Sequence, residues 1–449
     1  MTKNITFYIF IVFNLIGMML VHQWSTDEGY FLYWAKNYLE TGRFINEITY
    51  MSHDISFSKT LVAIVAFIGS FTDFSYFFAR LPPFILSIAI LLLLHRLFLL
   101  LKIDRAYIIV SLLSMTMWLG HRMVIRPEYI YMFAILFSVF SVVYYVKYKN
   151  SLILFVAILI NALSVSSHPN GIVGYIVLLI GFLVFFKQVT KKDYIYIISG
   201  IIVGGIVLYY SLLWYQSIDE FLISFNEAKS HPFYSGPFYH EHLRYISFLL
   251  DTKLFISAIL LSVSGLFIKI ISWKKNNKLE QFFVISAIAS LLYLFFLPIK
   301  WNYYFTLAIP IFVIFIPYTL KYFSKTFSKI LIVIFSFILI LFLGKNVTRN
   351  EMFFETFNIP SQRVVVLEKL KKQTQNSKVL ASIKMYPYLE GDGRELYFTK
   401  RYIDKVDYVI EFSARSDIAY LKAKGFEYQY SFQFQKTYKM DLFYKHNTE

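Results

Sequence analysis

The sequence predicts a polytopic α-helical membrane protein, of about eleven transmembrane helices, with a small C-terminal extracytoplasmic α/β domain. Three observations carry this reading. Of 449 residues, 57% are hydrophobic and 20% aromatic, and only 16% are charged; soluble domains hold about 25% charged and 45–50% apolar residues. The apolar residues come in blocks of 14–25, and about 17–25 residues cross a hydrocarbon core about 30 Å thick. From Asn350 the composition changes to that of a soluble domain. Disorder, fibrous repeats and a disulfide scaffold are excluded, and with no Cys in the chain there is no thiolate metal site or Cys nucleophile.

In chain order the blocks are Ile5–Val21, Phe77–Leu101, Ala106–Leu119, Tyr129–Val146, Leu152–Val165, Ile172–Phe186, Tyr194–Trp214, Leu254–Ile271, Phe282–Leu297, Tyr303–Leu320 and Ile330–Leu343. The first is a span and not a cleavable signal peptide, because His22, Gln23 and Trp24 follow it in place of small residues. With Met1 in the cytoplasm, the inner side holds 16 Lys/Arg against 3 acids, counting those at the ends of the spans, and the outer side up to Asn350 holds 12 of each. The net charge of +16 is therefore a positive-inside signal and not a nucleic-acid footprint. Residues 1–349 form the membrane domain, with long outer loops at 22–76 and 215–253; residues 350–449 form the extracytoplasmic domain. In the first loop, Phe31, Trp34, Ala35 and Tyr38 share one face of a helix over Tyr30–Leu39, with a second candidate helix at Leu61–Ile68. In the tail, Gln362–Lys372 and Asp417–Lys424 read as helices. Lys378–Ile383, Lys405–Phe412, Phe426–Phe434 and Thr437–Phe443 read as strands.

Acids crowd the outer side, so chemistry that needs a carboxylate base is placed there. Asp27 and Glu28 follow the first span. Adjacent acids raise each other's pKa, which suits a general base, and the same two acids also suit the positive end of the helix behind them. Arg126-Pro127-Glu128 opens the fourth span, where ionisable groups usually line a polar cavity or pair as a snorkelling Arg with its neighbour. Lys59, in Phe57-Ser58-Lys59-Thr60, can hold a phosphate as a point charge or meet lipid headgroups. His168 and Asn170 lie in the turn His168-Pro169-Asn170-Gly171, and Lys300 and Tyr303 lie at the outer end of the ninth and tenth blocks. The sequence has no Gly-rich phosphate loop, no HExxH pair and no clustered metal-ligand pattern.

Taken together these positions resemble the GT-C membrane glycosyltransferases, in the branch of protein mannosyltransferases, aminoarabinose transferases and related bacterial enzymes. Asp27-Glu28-Gly29-Tyr30 is similar to the family's Asp-Glu-aromatic opening of the first outer loop. Phe57-Ser58-Lys59-Thr60 stands where the family has Phe-x-Lys-Pro, with the Pro replaced. Arg80-Leu81-Pro82 opens the second span, and Arg126-Pro127-Glu128 carries Glu for the family's Asp. His168-Pro169-Asn170-Gly171 and the set Lys300, Tyr303 and Pro310 match more loosely. The resemblance covers roughly residues 5–210 and 300–310. It implies transfer of a sugar, with inversion, from a polyprenyl-phosphate donor to a lipid, glycan or protein acceptor at the outer face of a bacterial plasma membrane. By the same resemblance Asp27 is the base, Lys59 and Arg126 bind phosphate, and Glu128 shapes the pocket or acts as a second base. No cofactor is implied, and a divalent metal stays open. The competing classes are an envelope polysaccharide polymerase or ligase, which would not explain Asp27-Glu28, and a lipid-linked sugar transporter, for which no inverted repeat is visible.

Overall fold

The computed structural model describes residues 2–19, 26–44, 55, 57–72, 74, 76–120, 125–214, 216–229, 256–297, 302–348, 362–382, 385, 389, 393–398, 400–412, 417–435 and 438–445. Among them the helices are α1 (Thr2–Met19), α2 (Thr26–Thr41), α3 (Lys59–Gly69), α4 (Tyr76–Ala79), α5 (Leu81–Leu100), α6 (Arg105–Gly120), α7 (Glu128–Tyr148), α8 (Leu152–Ser167), α9 (Ile172–Phe185), α10 (Lys191–Leu213), α11 (Ile218–Lys229), α12 (Ile256–Ile271), α13 (Lys278–Phe296), α14 (Ile309–Phe312), α15 (Ile316–Leu320), α16 (Lys325–Thr348), α17 (Gln362–Gln373) and α18 (Ile418–Ala423). Five helical stretches, Leu81–Leu100, Glu128–Tyr148, Pro169–Gln188, Lys191–Leu213 and Lys278–Phe296, are long and apolar enough to cross a membrane, and shorter apolar helices accompany them. The chain is a polytopic helical membrane protein with a small C-terminal sheet.

The chain forms two compact units: residues 1–19, 56–64 and 80–346, and residues 20–55, 65–79 and 347–449. In the first, α7 is the central element. It packs on α5, α8 and α9 and is buried along most of its length, from Glu128 to Tyr145. Small residues let backbones close up where side chains would hold them apart. Gly200 and Gly204, four apart on α10, face Ile158 of α8, and Gly265 of α12 lies against the Phe315 carbonyl. The tenth apolar block differs from a simple span. It is a 3-10 turn at Asn302–Leu307, α14, a second 3-10 turn at Val313–Phe315, and α15. Pro310 and Pro317 lack the N–H that would continue a helix, and each instead sits in the first turn of a new one. Broken backbone is tolerated at membrane depth only inside protein, and Leu307 to Leu320 are all buried.

In the second unit α2 buries Phe31 and Ala35 of the face that the sequence spacing marked, together with Leu32, whereas Trp34 and Tyr38 are half-buried. The tail folds as a five-stranded sheet of order β2-β1-β3-β5-β4, from β1 (Lys378–Ala381), β2 (Glu395–Tyr397), β3 (Tyr408–Phe412), β4 (Phe426–Gln435) and β5 (Tyr438–Lys445). β1 pairs in parallel with β2 and β3, whereas β5 is antiparallel to β3 and β4. Leu380, Ile403, Val409, Leu421, Phe426 and Phe443 form its core. Three residues are too few to show alternation, so β2 has no signal in the sequence.

A methyl group at Gly265 meets backbone that cannot turn aside, whereas one at Gly205 meets nothing within 4 Å. Gly265→Ala should therefore lower the thermal midpoint in detergent, at a cost of about 1–3 kcal/mol. Gly205→Ala should leave it unchanged or raise it slightly, and the pair is read by scanning fluorimetry.

Candidate active site in the membrane unit

The site is built on three helix ends. Pro127 precedes α7, and Glu128 opens it, where the dipole favours a carboxylate. Glu128 is buried, and its Oε1 lies 3.7 Å from Nη1 of Arg126. That is an ion-pair distance but too long for a hydrogen bond. The Tyr129 hydroxyl donates to the Leu119 carbonyl near the end of α6 at 2.9 Å, which fixes the start of α7 against the element before it.

The second end is that of α8. His168 leaves the helix in an extended conformation (φ −163°, ψ 138°) and caps the 3-10 turn Pro169–Gly171. Gly171 is required there, because a Cβ would lie 2.5 Å from the Ser164 carbonyl carbon. The Asn170 N–H donates to His168 Nδ1 at 3.1 Å, so the imidazole is neutral with its proton on Nε2. Burial and the nearby Arg126 charge agree, holding this turn histidine, which lies between two spans, down to about 4. Its ring lies 6.0 Å from that of Tyr131 and 5.7 Å from that of Tyr304. The Tyr131 hydroxyl shares a 2.9 Å hydrogen bond with Thr306 Oγ1, which brings the 3-10 turn at Asn302–Leu307 to the same place. Asn170 is 3% exposed; its Oδ1 accepts from the Tyr293 hydroxyl at 3.2 Å. Its Nδ2 is buried with no hydrogen-bond partner among the described residues, a donor available to a ligand.

The third end is that of α10. Lys59 is fully buried, and its Nζ donates to the Leu212 and Leu213 carbonyls at 2.6 and 2.9 Å and to Gln216 Oε1 at 2.6 Å. Three bonds use the three hydrogens of an ammonium, and two of them satisfy carbonyls that a helix end leaves without partners. Ser58, at φ +71°, turns the chain into this position. Its N–H donates to the Ser166 carbonyl at 3.1 Å and its hydroxyl to the Ser167 carbonyl at 2.9 Å. Lys59 is thus tied to α10, one residue from the segment that bears His168.

Of the residues singled out in the sequence, Arg126, Glu128, His168 and Asn170 come together, and Lys59 holds the neighbouring helix end. Tyr131, Tyr293, Tyr304 and Thr306 join them; isolated hydroxyls in apolar spans carry no signal that would separate them from core residues. Asp27 and Glu28 belong to the second unit, in the first turn of α2, which begins at Thr26; Glu28 is fully buried. The side chain of Asp27, all of Lys300 and the side chain of Tyr303 lie outside the described residues. Among the described residues no group of three or more His, Asp or Glu is placed to hold a metal ion.

A histidine held near 4 against an ordinary 6.5 contributes fully to stability above pH 6.5 and progressively less as the pH falls towards 4. Over that interval the unfolded chain binds a proton that the folded chain refuses. The melting temperature should therefore drop between pH 6.5 and 4.5, by the equivalent of about 2–3 kcal/mol for this one group. His168→Gln, which cannot titrate, should show a smaller drop.

Comparison with known proteins follows the same lines. The family model described as "Mycobacterial cell wall arabinan synthesis protein" matches residues 3–315. No curated protein matches the chain. Among solved structures, the arabinosyltransferase EmbB from Mycobacterium smegmatis aligns with a TM-score of 0.55 and 18% identity over 70% of this chain. This chain spans only 30% of the length of that protein. ArnT from Cupriavidus metallidurans, solved bound to undecaprenyl phosphate, aligns with a TM-score of 0.63 and 11% identity over 100% of this chain and 98% of its own. Its apo form aligns at 0.62 and 10%, over 98% and 97%. At these identities the structural likeness is one of fold. The family model, covering more than half of the sequence, does more: the chain belongs to the family of mycobacterial cell wall arabinan synthesis proteins, within the GT-C superfamily that its motifs resemble.

Proposed function

We propose that the protein is a membrane glycosyltransferase that moves a sugar from a polyprenyl-phosphate donor to an acceptor at the outer face of the membrane. The observation that carries the reading is the cluster of buried Glu128 and Asn170 with half-buried Arg126 and His168, at helix ends of a chain that the arabinan-synthesis family model covers from residue 3 to 315. Membership of that family favours a pentose, and likeness to a protein solved with undecaprenyl phosphate favours the lipid-phosphate carrier. The domain division at 349/350 and the outward placement of residues 22–76 and 350–449 belong to the same proposal, on the charge asymmetry of the connections.

In the reaction an acceptor hydroxyl attacks the anomeric carbon while a carboxylate, assigned to Asp27, takes its proton. The bond from that carbon to the phosphate oxygen breaks, the configuration inverts, and the lipid phosphate leaves with the electron pair. A leaving phosphate needs fixed positive charge and no proton, and such charge counts for most in a dry site. Arg126 supplies it. Its ion pair with Glu128 is loose, so phosphate can replace the carboxylate as its partner. Glu128 then accepts from sugar hydroxyls, and Asn170 Nδ2 donates to one. Lys59 contributes charge from behind, and a direct contact with phosphate requires it to release Gln216.

Purified protein in nanodiscs, supplied with polyprenyl-phosphate-linked pentose or hexose, should transfer the pentose. Asp27→Asn should reduce turnover on the order of a hundredfold with melting unchanged, and full activity in that variant would remove Asp27 as the base. Arg126→Met should cost about tenfold to 150-fold in donor affinity or turnover. Lys59→Met leaves the Leu212 and Leu213 carbonyls without the Lys59 donor and should lose stability as well as activity. Reporter fusions after Ser52 and after Gln375 should be active only as periplasmic reporters; cytoplasmic activity at both would reverse the orientation.

A further inference from the structure

We propose that the C-terminal α/β domain holds a second carbohydrate site, a pocket for one neutral sugar ring at the carboxyl ends of β1, β2 and β3. The sugar is read as a residue of the acceptor glycan, and that part alone rests on the transferase function.

Topology puts a crevice there. From β1 the chain passes to β2 on one side and then crosses back to β3 on the other, both strands running parallel to β1. Connections that diverge from neighbouring parallel strands leave an opening beyond their carboxyl ends, where open α/β sheets bind ligands. The structure has a cavity of about 170 Å³ at that point. Ala381 and Ser382 line it from the end of β1, Phe398 from the residue after β2, and Ile410 and Glu411 from the end of β3; Lys400 closes one side.

The polar groups define what fits. Glu411 Oε1 is held by Lys400 Nζ at 2.9 Å, whereas Oε2 is buried with no hydrogen-bond partner among the described residues. A buried carboxylate oxygen left without a donor costs free energy that a ligand hydroxyl recovers. Lys400 already neutralises the charge of Glu411, so neither an anion nor a cation is favoured, and a neutral polyol is. Ser382 adds a hydroxyl that can donate or accept. Phe398, held edge-on against Tyr33 at 5.5 Å between centroids, offers an aromatic surface to the C–H face of a sugar ring. The cavity is below the usual range for drug-sized ligands, about 300–1,000 Å³, and suits a single ring.

The test uses the full chain in nanodiscs, with methyl α-arabinofuranoside and methyl α-mannopyranoside as probes in saturation-transfer NMR. Wild type and Arg126→Met should both saturate a probe. Glu411→Gln should weaken the signal about tenfold, and Ser382→Trp, which fills the cavity, should abolish it, with melting curves unchanged. With a short acceptor, Glu411→Gln should leave turnover intact, and with a long glycan it should raise KM while sparing kcat. Loss of the signal in Arg126→Met alone would place the sugar in the membrane site and overturn the proposal. Equal signals in wild type, Glu411→Gln and Ser382→Trp, or no signal in wild type, would overturn it as well. Glu411-dependent binding in a protein that transfers no sugar would keep the pocket and remove the transferase reading instead.

Discussion

Helix ends inside an apolar protein leave carbonyl groups that water cannot reach, and each such group costs about 1–3 kcal/mol if it stays without a donor. In the membrane unit this constraint decides where the polar and charged side chains go. Lys59 serves the end of α10, and Arg80, 1% exposed, donates from Nη1 to the Met19 carbonyl at the end of α1 at 3.0 Å. Tyr129 serves the end of α6, and Ser58 serves the end of α8. Every one of these bonds joins two elements, so satisfying the carbonyl also fixes the angle at which a loop leaves its helix. The site-bearing turns owe their positions to this set.

The same logic at another set of helix ends has a purely structural outcome. Asp193, in the first turn of α10, accepts from the Tyr145 hydroxyl and from Ser151, and it closes a capping box with Thr190. Every oxygen there has a donor. Around His168 and Asn170 the account does not close, since Asn170 Nδ2 has no acceptor among the described residues. A fully satisfied network rigidifies, and one with a donor to spare is where a ligand can bind.

What the sequence made legible follows from this. Apolar blocks are visible because their length is set by the bilayer, and each falls on helical structure; the spacing of Phe31 and Ala35 is visible because one face of α2 is buried. Arg126, Glu128, His168 and Asn170 stand out because polar residues are rare at the ends of apolar spans. The bonds of Lys59 were not legible, since residues 153 and 154 positions away supply its acceptors. Pro310 and Pro317 were visible, but their breaking of the tenth block depends on its being buried on all sides. Glu411 had no signal at all, because the crevice beside it exists only once β2 and β3 flank β1.

The electrostatics of the cluster also constrain its use. His168 is neutral, and Arg126 with Glu128 nearly cancels, so the empty cluster carries little net charge and can be kept away from water at modest cost. A guanidinium buried there without a counter-charge would draw in water. Glu128 Oε1, 3.7 Å from Arg126 Nη1, balances the guanidinium charge at a distance too long for a hydrogen bond between these two atoms. The arrangement suits a site that must meet an anion and then release it, because the displaced carboxylate stays close enough to take Arg126 back when the phosphate departs.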